Sequence, residues 1–179
     1  MSSAPMSKTV LITGPIGSGK SAVCARLRAL GCPVYDCDSR TKALYDRIPG
    51  LKARIEQALG VPFREVGIIF KDPSKRRALE EIVYPEVLKD LAAWKAEQTA
   101  EVLFVESAIA LEKPEFDGSY DEVWLIRAPF GTRLSRNPET AVRSAIQAMV
   151  DPSKATAVID NDSSLEELYD KVDKLIKNG

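Results

Sequence analysis

Eight residues constrain this chain more than any others: Gly14-Pro15-Ile16-Gly17-Ser18-Gly19-Lys20-Ser21 fits GxxxxGK[ST]. Just before them, Thr9-Val10-Leu11-Ile12-Thr13 is a short apolar, β-branched run that predicts a buried strand. Just after them, Val23, Leu27 and Leu30 recur at helical spacing. Strand, glycine loop and helix together predict a phosphate site for a nucleoside triphosphate. In such a loop, the backbone of Gly14, Pro15, Ile16, Gly17, Ser18 and Gly19 turns its N–H groups onto a polyphosphate, and the helix N-terminus adds partial positive charge. Lys20 is expected to reach the β- and γ-phosphates, and the Ser21 hydroxyl to hold Mg²⁺. The competing reading is an ordinary glycine-rich turn, which explains neither the lysine nor the serine.

The rest of the composition narrows the field. A chain of 179 residues suits one α/β domain with a small inserted lobe. Its net charge of −1 offers no basic surface for nucleic acid or an anionic membrane, and no apolar run approaches a membrane span. Residues 1–7 carry no signal-like apolar core and are expected to be a disordered lead-in. Cys24, Cys32 and Cys37 show no Cys-x-x-Cys pairing, so reduced thiols in the cytoplasm are expected, without a metal site. There is no histidine. That excludes Ser/His/Asp hydrolases, Cys/His proteases and His-ligated zinc, and leaves proton transfer to Asp, Glu, Lys, Tyr or water.

Along the chain, Val34-Tyr35 reads as a second strand with Asp36 and Asp38 at its carboxyl end, where ligands sit in open parallel sheets. Asp38 and Ser39 also suit capping of the next helix, and one aspartate could do both. Residues 40–98 read as helical: a segment over 51–59 ended by Gly60, an ambiguous stretch over 66–70, and a long helix from Asp72-Pro73 that Pro85 is expected to kink or divide. This block predicts a lobe for a second substrate. Strands follow at 102–105, 123–126 and 157–159, and a capped amphipathic helix after Asn161-Asp162-Ser163-Ser164 closes the chain. The fold expected is α/β, a P-loop NTPase with a five-stranded parallel sheet covered on both faces. Its core is placed at 8–39 and 99–179, with an arginine-bearing lid at about 132–154.

Class follows from what is missing. No Asn-Lys-x-Asp follows the fourth strand, where Arg127-Ala128-Pro129 stands, so a GTPase is excluded. Val105 is followed by Glu106-Ser107 instead of the Asp-Glu of remodelling ATPases. A kinase with an acceptor lobe remains. Arg133, Arg136 and Arg143 are suited to clamping a transferred phosphoryl group, or else form a solvated basic helix face.

The order of motifs resembles the dephospho-coenzyme A kinase family. The matching pieces are the Gly14–Ser21 loop, Pro33-Val34-Tyr35-Asp36-Cys37-Asp38, Arg77 to Pro85, Glu106-Ser107-Ala108-Ile109, the Arg143-x-x-x-Gln147 spacing, and Val158-Ile159-Asp160-Asn161-Asp162. The resemblance implies ATP- and Mg²⁺-dependent phosphorylation of the ribose 3′-hydroxyl of dephospho-coenzyme A, a small-molecule acceptor, by a cytoplasmic enzyme expected to be a monomer. By position it makes Asp38 the base, Asp36 the first carboxylate of the pair and nearer the metal, Arg143 a lid arginine, and Asn161 part of the motif approaching adenine. Lys42 and Tyr84 stand where the family has arginine and histidine, and with Asp36 and Asp38 they are the acceptor-side candidates. These departures keep open another small-molecule or nucleoside kinase on the same scaffold. A non-catalytic nucleotide-binding module is opposed by the intact Lys20, Ser21, Asp36 and Asp38.

Overall fold

The structure, a computed structural model, describes residues 7–137 and 151–179, with the side chains of 68–71 left aside. The chain divides into two compact units, 1–35 with 98–179, and 36–97.

The first unit is built on a parallel sheet in the order β2-β3-β1-β4-β5. Its strands are β1 (Lys8–Thr13), β2 (Val34–Asp36), β3 (Val102–Glu106), β4 (Glu122–Arg127) and β5 (Ala157–Asp160). β1 is central, with Leu11 beside Val105 in β3 and Val123 in β4. Its residues alternate between two buried faces, as a strand period of two requires. Val10 and Ile12 join Phe104, Trp124, Ile126 and Ile159 on one side, where α1 (Lys20–Ala29) contributes Val23, Cys24 and Leu27. The last helix, α6 (Leu165–Lys177), adds Leu168 and Val172 to the same cluster. Phe104 meets Trp124 edge to face at 5.3 Å. Arg26 ties α1 to α6 through two bonds to Asp173, at 2.9 and 2.7 Å. Ser164 caps α6 by accepting from the Glu167 N–H. Cys24, Cys32 and Cys37 form no disulfide.

The second unit holds α2 (Cys37–Arg47), α3 (Leu51–Leu59), a 3₁₀ segment Phe63–Lys71 and α4 (Pro73–Glu97). The ambiguous stretch is therefore helical, of the tighter kind. α4 runs unbroken through Pro85, against the expectation that proline divides it. Proline removes one backbone donor, but Val83, Tyr84 and Val87 beside it are all buried, and that packing carries the helix across the gap. Asp90 of α4 is also buried and takes Arg40 at 2.9 and 3.2 Å and Arg47 at 2.5 Å. A buried carboxylate needs such partners. Among the described residues, no helix is long and apolar enough to cross a membrane.

Leu27 has no exposed surface and lies in the central cluster, whereas Asp173 sits at a partly exposed ion pair. Leu27→Ala should therefore cost about 2–5 kcal/mol, and Asp173→Asn a small fraction of that. Equilibrium denaturant titration of the two variants checks the order.

Candidate active site

The phosphate loop leaves β1 at its carboxyl end and enters α1 at Lys20. Its shape depends on missing Cβ atoms. Gly14 has φ +152°, and a Cβ there would lie 2.2 Å from the Ile126 carbonyl oxygen. Gly19 has φ +107°, and its Cβ would lie 2.2 Å from Nδ2 of Asn161. A Cβ on Gly17 would fall 2.8 Å from the Arg133 carbonyl oxygen. Three elements thus close on the loop from β4, from α5 (Phe130–Arg136) and from the turn after β5.

Polar contacts hold the same arrangement. The Asn161 side chain, buried, donates to the Ser18 carbonyl at 2.9 Å, while its backbone N–H donates to the Arg127 carbonyl at 2.7 Å. Arg136 Nη1 donates to the Gly17 carbonyl at 3.1 Å. The Lys20 ammonium donates to the loop's own carbonyls, Gly14 and, at 3.2 Å, Pro15. Among the described residues, the buried hydroxyl oxygens of Thr13 and Ser18 have no hydrogen-bond partner. The first turn of α1 carries no acidic residue, and Arg26 and Arg28 stand in its last turn. That polarity leaves the positive helix end open to an anion.

Beside the loop lies a cleft of about 270 Å³ lined by Arg127, Ala128, Pro129, Asp160 and Asp162. Arg127 and Asp160 are cross-strand partners at the carboxyl ends of β4 and β5. They pair through Nε–Oδ1 at 2.8 Å and Nη2–Oδ2 at 3.1 Å. The Arg127 guanidinium holds the Asp160 carboxyl below the usual carboxylate range. Lys171 of α6 donates to the Asp160 carbonyl at 2.5 Å and lies 3.6 Å from Asp162.

In the second unit, Asp36, and not Asp38, caps α2. Its carboxylate accepts from the Ser39 N–H at 3.1 Å and the Ser39 hydroxyl at 2.9 Å. This corrects the expected cap at Asp38 and Ser39, because the helix begins at Cys37 and the cap position falls one residue before it. Asp38 then stands in the first turn, its side chain 82% exposed, 3.1 Å from Lys42 one turn on.

Comparison with known proteins decides the family. The sequence model of dephospho-CoA kinase matches residues 8–178. The chain belongs to the dephospho-CoA kinase family. It is 39% identical to the dephospho-CoA kinase of Porphyromonas gingivalis over 137 residues, 72% of this chain and 67% of that one. Identity to the Frankia casuarinae dephospho-CoA kinase is 33%, covering 93% of this chain and 81% of the relative. The crystal structure of TT1252 from Thermus thermophilus superposes with a TM-score of 0.78 at 30% identity, covering 96% and 97%.

Against the dephospho-CoA kinase motifs, the first unit brings together Gly14 through Ser21 and Asn161, and adds Arg133 and Arg136 of α5 to the loop's surroundings. Arg143 and Gln147 lie outside the described residues, as does most of the lid expected over 132–154. The second unit carries Asp36, Asp38, Lys42 and a buried Tyr84. Sequence reasoning missed the Arg127–Asp160 pair. Both residues close apolar strands, a weak signal that becomes legible only once β4 and β5 are known to be neighbours.

Two outcomes follow from this geometry. Gly14→Ala and Gly31→Ala both place alanine at positive φ, an expense of about 1–2 kcal/mol, but nothing lies within 4 Å of Gly31. Gly31→Ala should keep nucleotide binding and Gly14→Ala should lose it, as read by calorimetric titration with ATP. The Asp160 pair, with its lowered folded-state pKa, stabilises fully above the usual carboxylate range and loses that effect as pH falls through the lowered value. Thermal melts from neutral to acid pH should show a shallower acid limb for Asp160→Asn.

Proposed function

We propose that this chain transfers the γ-phosphoryl group of ATP to the ribose 3′-hydroxyl of dephospho-CoA, giving CoA and ADP. The observation that carries this reading is one phosphate loop, closed on by three elements, inside a family match spanning residues 8–178. The loop backbone binds the polyphosphate, and Lys20, tethered to the loop's own carbonyls, exchanges them for phosphate oxygens. Ser21, exposed at the start of α1, would offer Mg²⁺ a hard hydroxyl oxygen. When bound, the ion neutralises charge on the phosphate oxygens. Arg143 supplies a guanidinium for charge that develops on the transferred group.

The second unit is the acceptor lobe in this reading. Asp38, exposed and not engaged as the cap, takes the hydroxyl proton as the new O–P bond forms and the bridging bond to the β-phosphate breaks. Lys42 orients that carboxylate and offers the acceptor a point charge. Tyr84 shapes the lobe from its interior. Thiols outside any disulfide suit a reducing compartment, and we place the reaction in the cytoplasm.

The test separates base from cap. Asp38→Asn should fold and bind ATP as wild type does, yet lose ~10² to 10⁴ in phosphoryl transfer. Asp36→Ala should instead lower helix stability by about 0.5–2 kcal/mol. ADP release, ATP affinity and thermal stability are measured together, with dephospho-CoA beside adenosine, pantothenate and common nucleosides as acceptors. An Asp38→Asn enzyme with full turnover removes the base assignment. A wild type that prefers another acceptor replaces dephospho-CoA.

A further inference from the structure

Phe63 is held more firmly than a half-buried ring on a 3₁₀ segment requires. Its N–H donates to Glu56 Oε1 at 2.8 Å. Its ring meets Tyr45 of α2 edge to face, with centroids 4.9 Å apart. The Lys52 ammonium of α3 stands 5.2 Å from the centre of the same ring and is itself fixed by Asp46 at 2.6 Å. Neither aromatic belongs to the packed interior of this unit, where Leu44, Leu51, Ile55, Leu59, Val83 and Val87 are buried. Two pinned rings left partly open to solvent form a flat apolar surface prepared in advance.

Their place on α2 gives that surface a role. Cys37 and Leu44 form the buried stripe of the helix, and Asp38, Lys42 and Tyr45 form the stripe beside it, at i, i+4 and i+7. Asp38 and Tyr45 stand two turns apart, about 10 Å along the axis. Lys42 bonds Asp38 between them. Burial, and after it the Asp38 charge, push the Tyr45 hydroxyl up, so the phenol stays neutral beside that carboxylate. One helix face thus carries a proton acceptor at one end and an aromatic surface at the other. A nucleoside has the two matching ends, a sugar hydroxyl and a flat base.

We propose that the Tyr45–Phe63 pair seats the base of the acceptor nucleotide, so that α2 reads the 3′-hydroxyl and the base of one nucleoside from a single stripe. This rests on the kinase reading, in which Asp38 takes the hydroxyl proton. Every base has a π face, but a purine covers more of a ring pair than a pyrimidine does, so the seat favours a purine acceptor. Two rings at 68° form a corner, where a base lying on one ring meets the edge of the other and is limited in how it turns. Lys52 and Glu56 keep the Phe63 side of that corner in place. An acceptor without a base gains nothing there.

Four variants test it: Tyr45→Leu, Tyr45→Phe, Phe63→Leu and Lys52→Gln. ADP release is followed with dephospho-CoA and with its analogue bearing cytosine in place of adenine. Tyr45→Leu and Phe63→Leu should raise the KM for dephospho-CoA about tenfold, within the range that stacking one base contributes. Their kcat should move by less than about twofold, since the contact is equal in ground and transition states. The preference for the adenine acceptor over the cytosine one should narrow in both, which a merely structural role would not produce. Tyr45→Phe keeps the ring and should regain most of the affinity lost in Tyr45→Leu. Lys52→Gln, a change at an exposed position that loosens the Phe63 ring, should raise the KM about two- to threefold. It decides the matter if the leucine variants do not fold, an unchanged KM then overturning the seat. With folded variants, an unchanged KM in Phe63→Leu, an unchanged adenine-to-cytosine ratio, or a Tyr45→Phe enzyme as impaired as Tyr45→Leu overturns it. A wild type inactive on dephospho-CoA removes the acceptor assignment instead, and calorimetry of adenosine against cytidine on wild type and Phe63→Leu then tests the seat by itself.

Discussion

The structure turns on the absence of three side chains. Gly14, Gly17 and Gly19 admit the Ile126 carbonyl, the Arg133 backbone and the Asn161 amide to distances that any Cβ would forbid. Those approaches brace the loop against β4, α5 and the turn after β5. β1 sets the loop's entry, α1 its exit, β4 its floor, and the turn after β5 its lateral clamp. Polar groups then fall where the backbone frame puts them. Lys20 and Arg136 both rest on loop carbonyls, so positive charge is already gathered where a polyphosphate needs it.

A second constraint is the division of labour between two aspartates two residues apart. A carboxylate that caps a helix has its oxygens committed to backbone and side-chain donors. Asp36 takes that duty through Ser39, and the start of α2 at Cys37 leaves Asp38 out of the cap. A shift of the helix start by two residues would exchange these roles. The same argument gives Lys42 its place, since one helical turn after Asp38 is where a cation reaches that carboxylate.

How much of this could be read beforehand depends on the range of the interaction. The phosphate loop, the five strands and the final capped helix are local patterns, written in consecutive residues, and they were legible. The strand order β2-β3-β1-β4-β5 was not, because it depends on crossings between distant segments. With it went the Arg127–Asp160 pair and the Asn161 clamp, whose partners lie 33 and 143 residues away in sequence. The capping position also escaped. Asp36, Asp38 and Ser39 all have capping chemistry, and only the backbone at Asp36, extended at φ −90° and ψ 104°, selects among them. Of the kink or division expected at Pro85, the division does not occur, for a different reason. Proline's local cost is real, but burial of its neighbours on α4 outweighs it.

The two units differ in what their chemistry is made of. In the first, phosphate recognition depends on backbone N–H groups, glycine φ values and a helix end, features that tolerate almost no substitution and so remain recognisable at 30% identity. In the second, Asp38 and Lys42 pair on the exposed surface of α2, where one residue can replace another without disturbing the fold. Lys42 presents there a compact ammonium where an arginine would present a planar fork. Divergence within such a family should therefore collect on the helical unit while the loop stays fixed. Lys42 and Tyr84, where the sequence reads as departing from the family pattern, both lie in that unit.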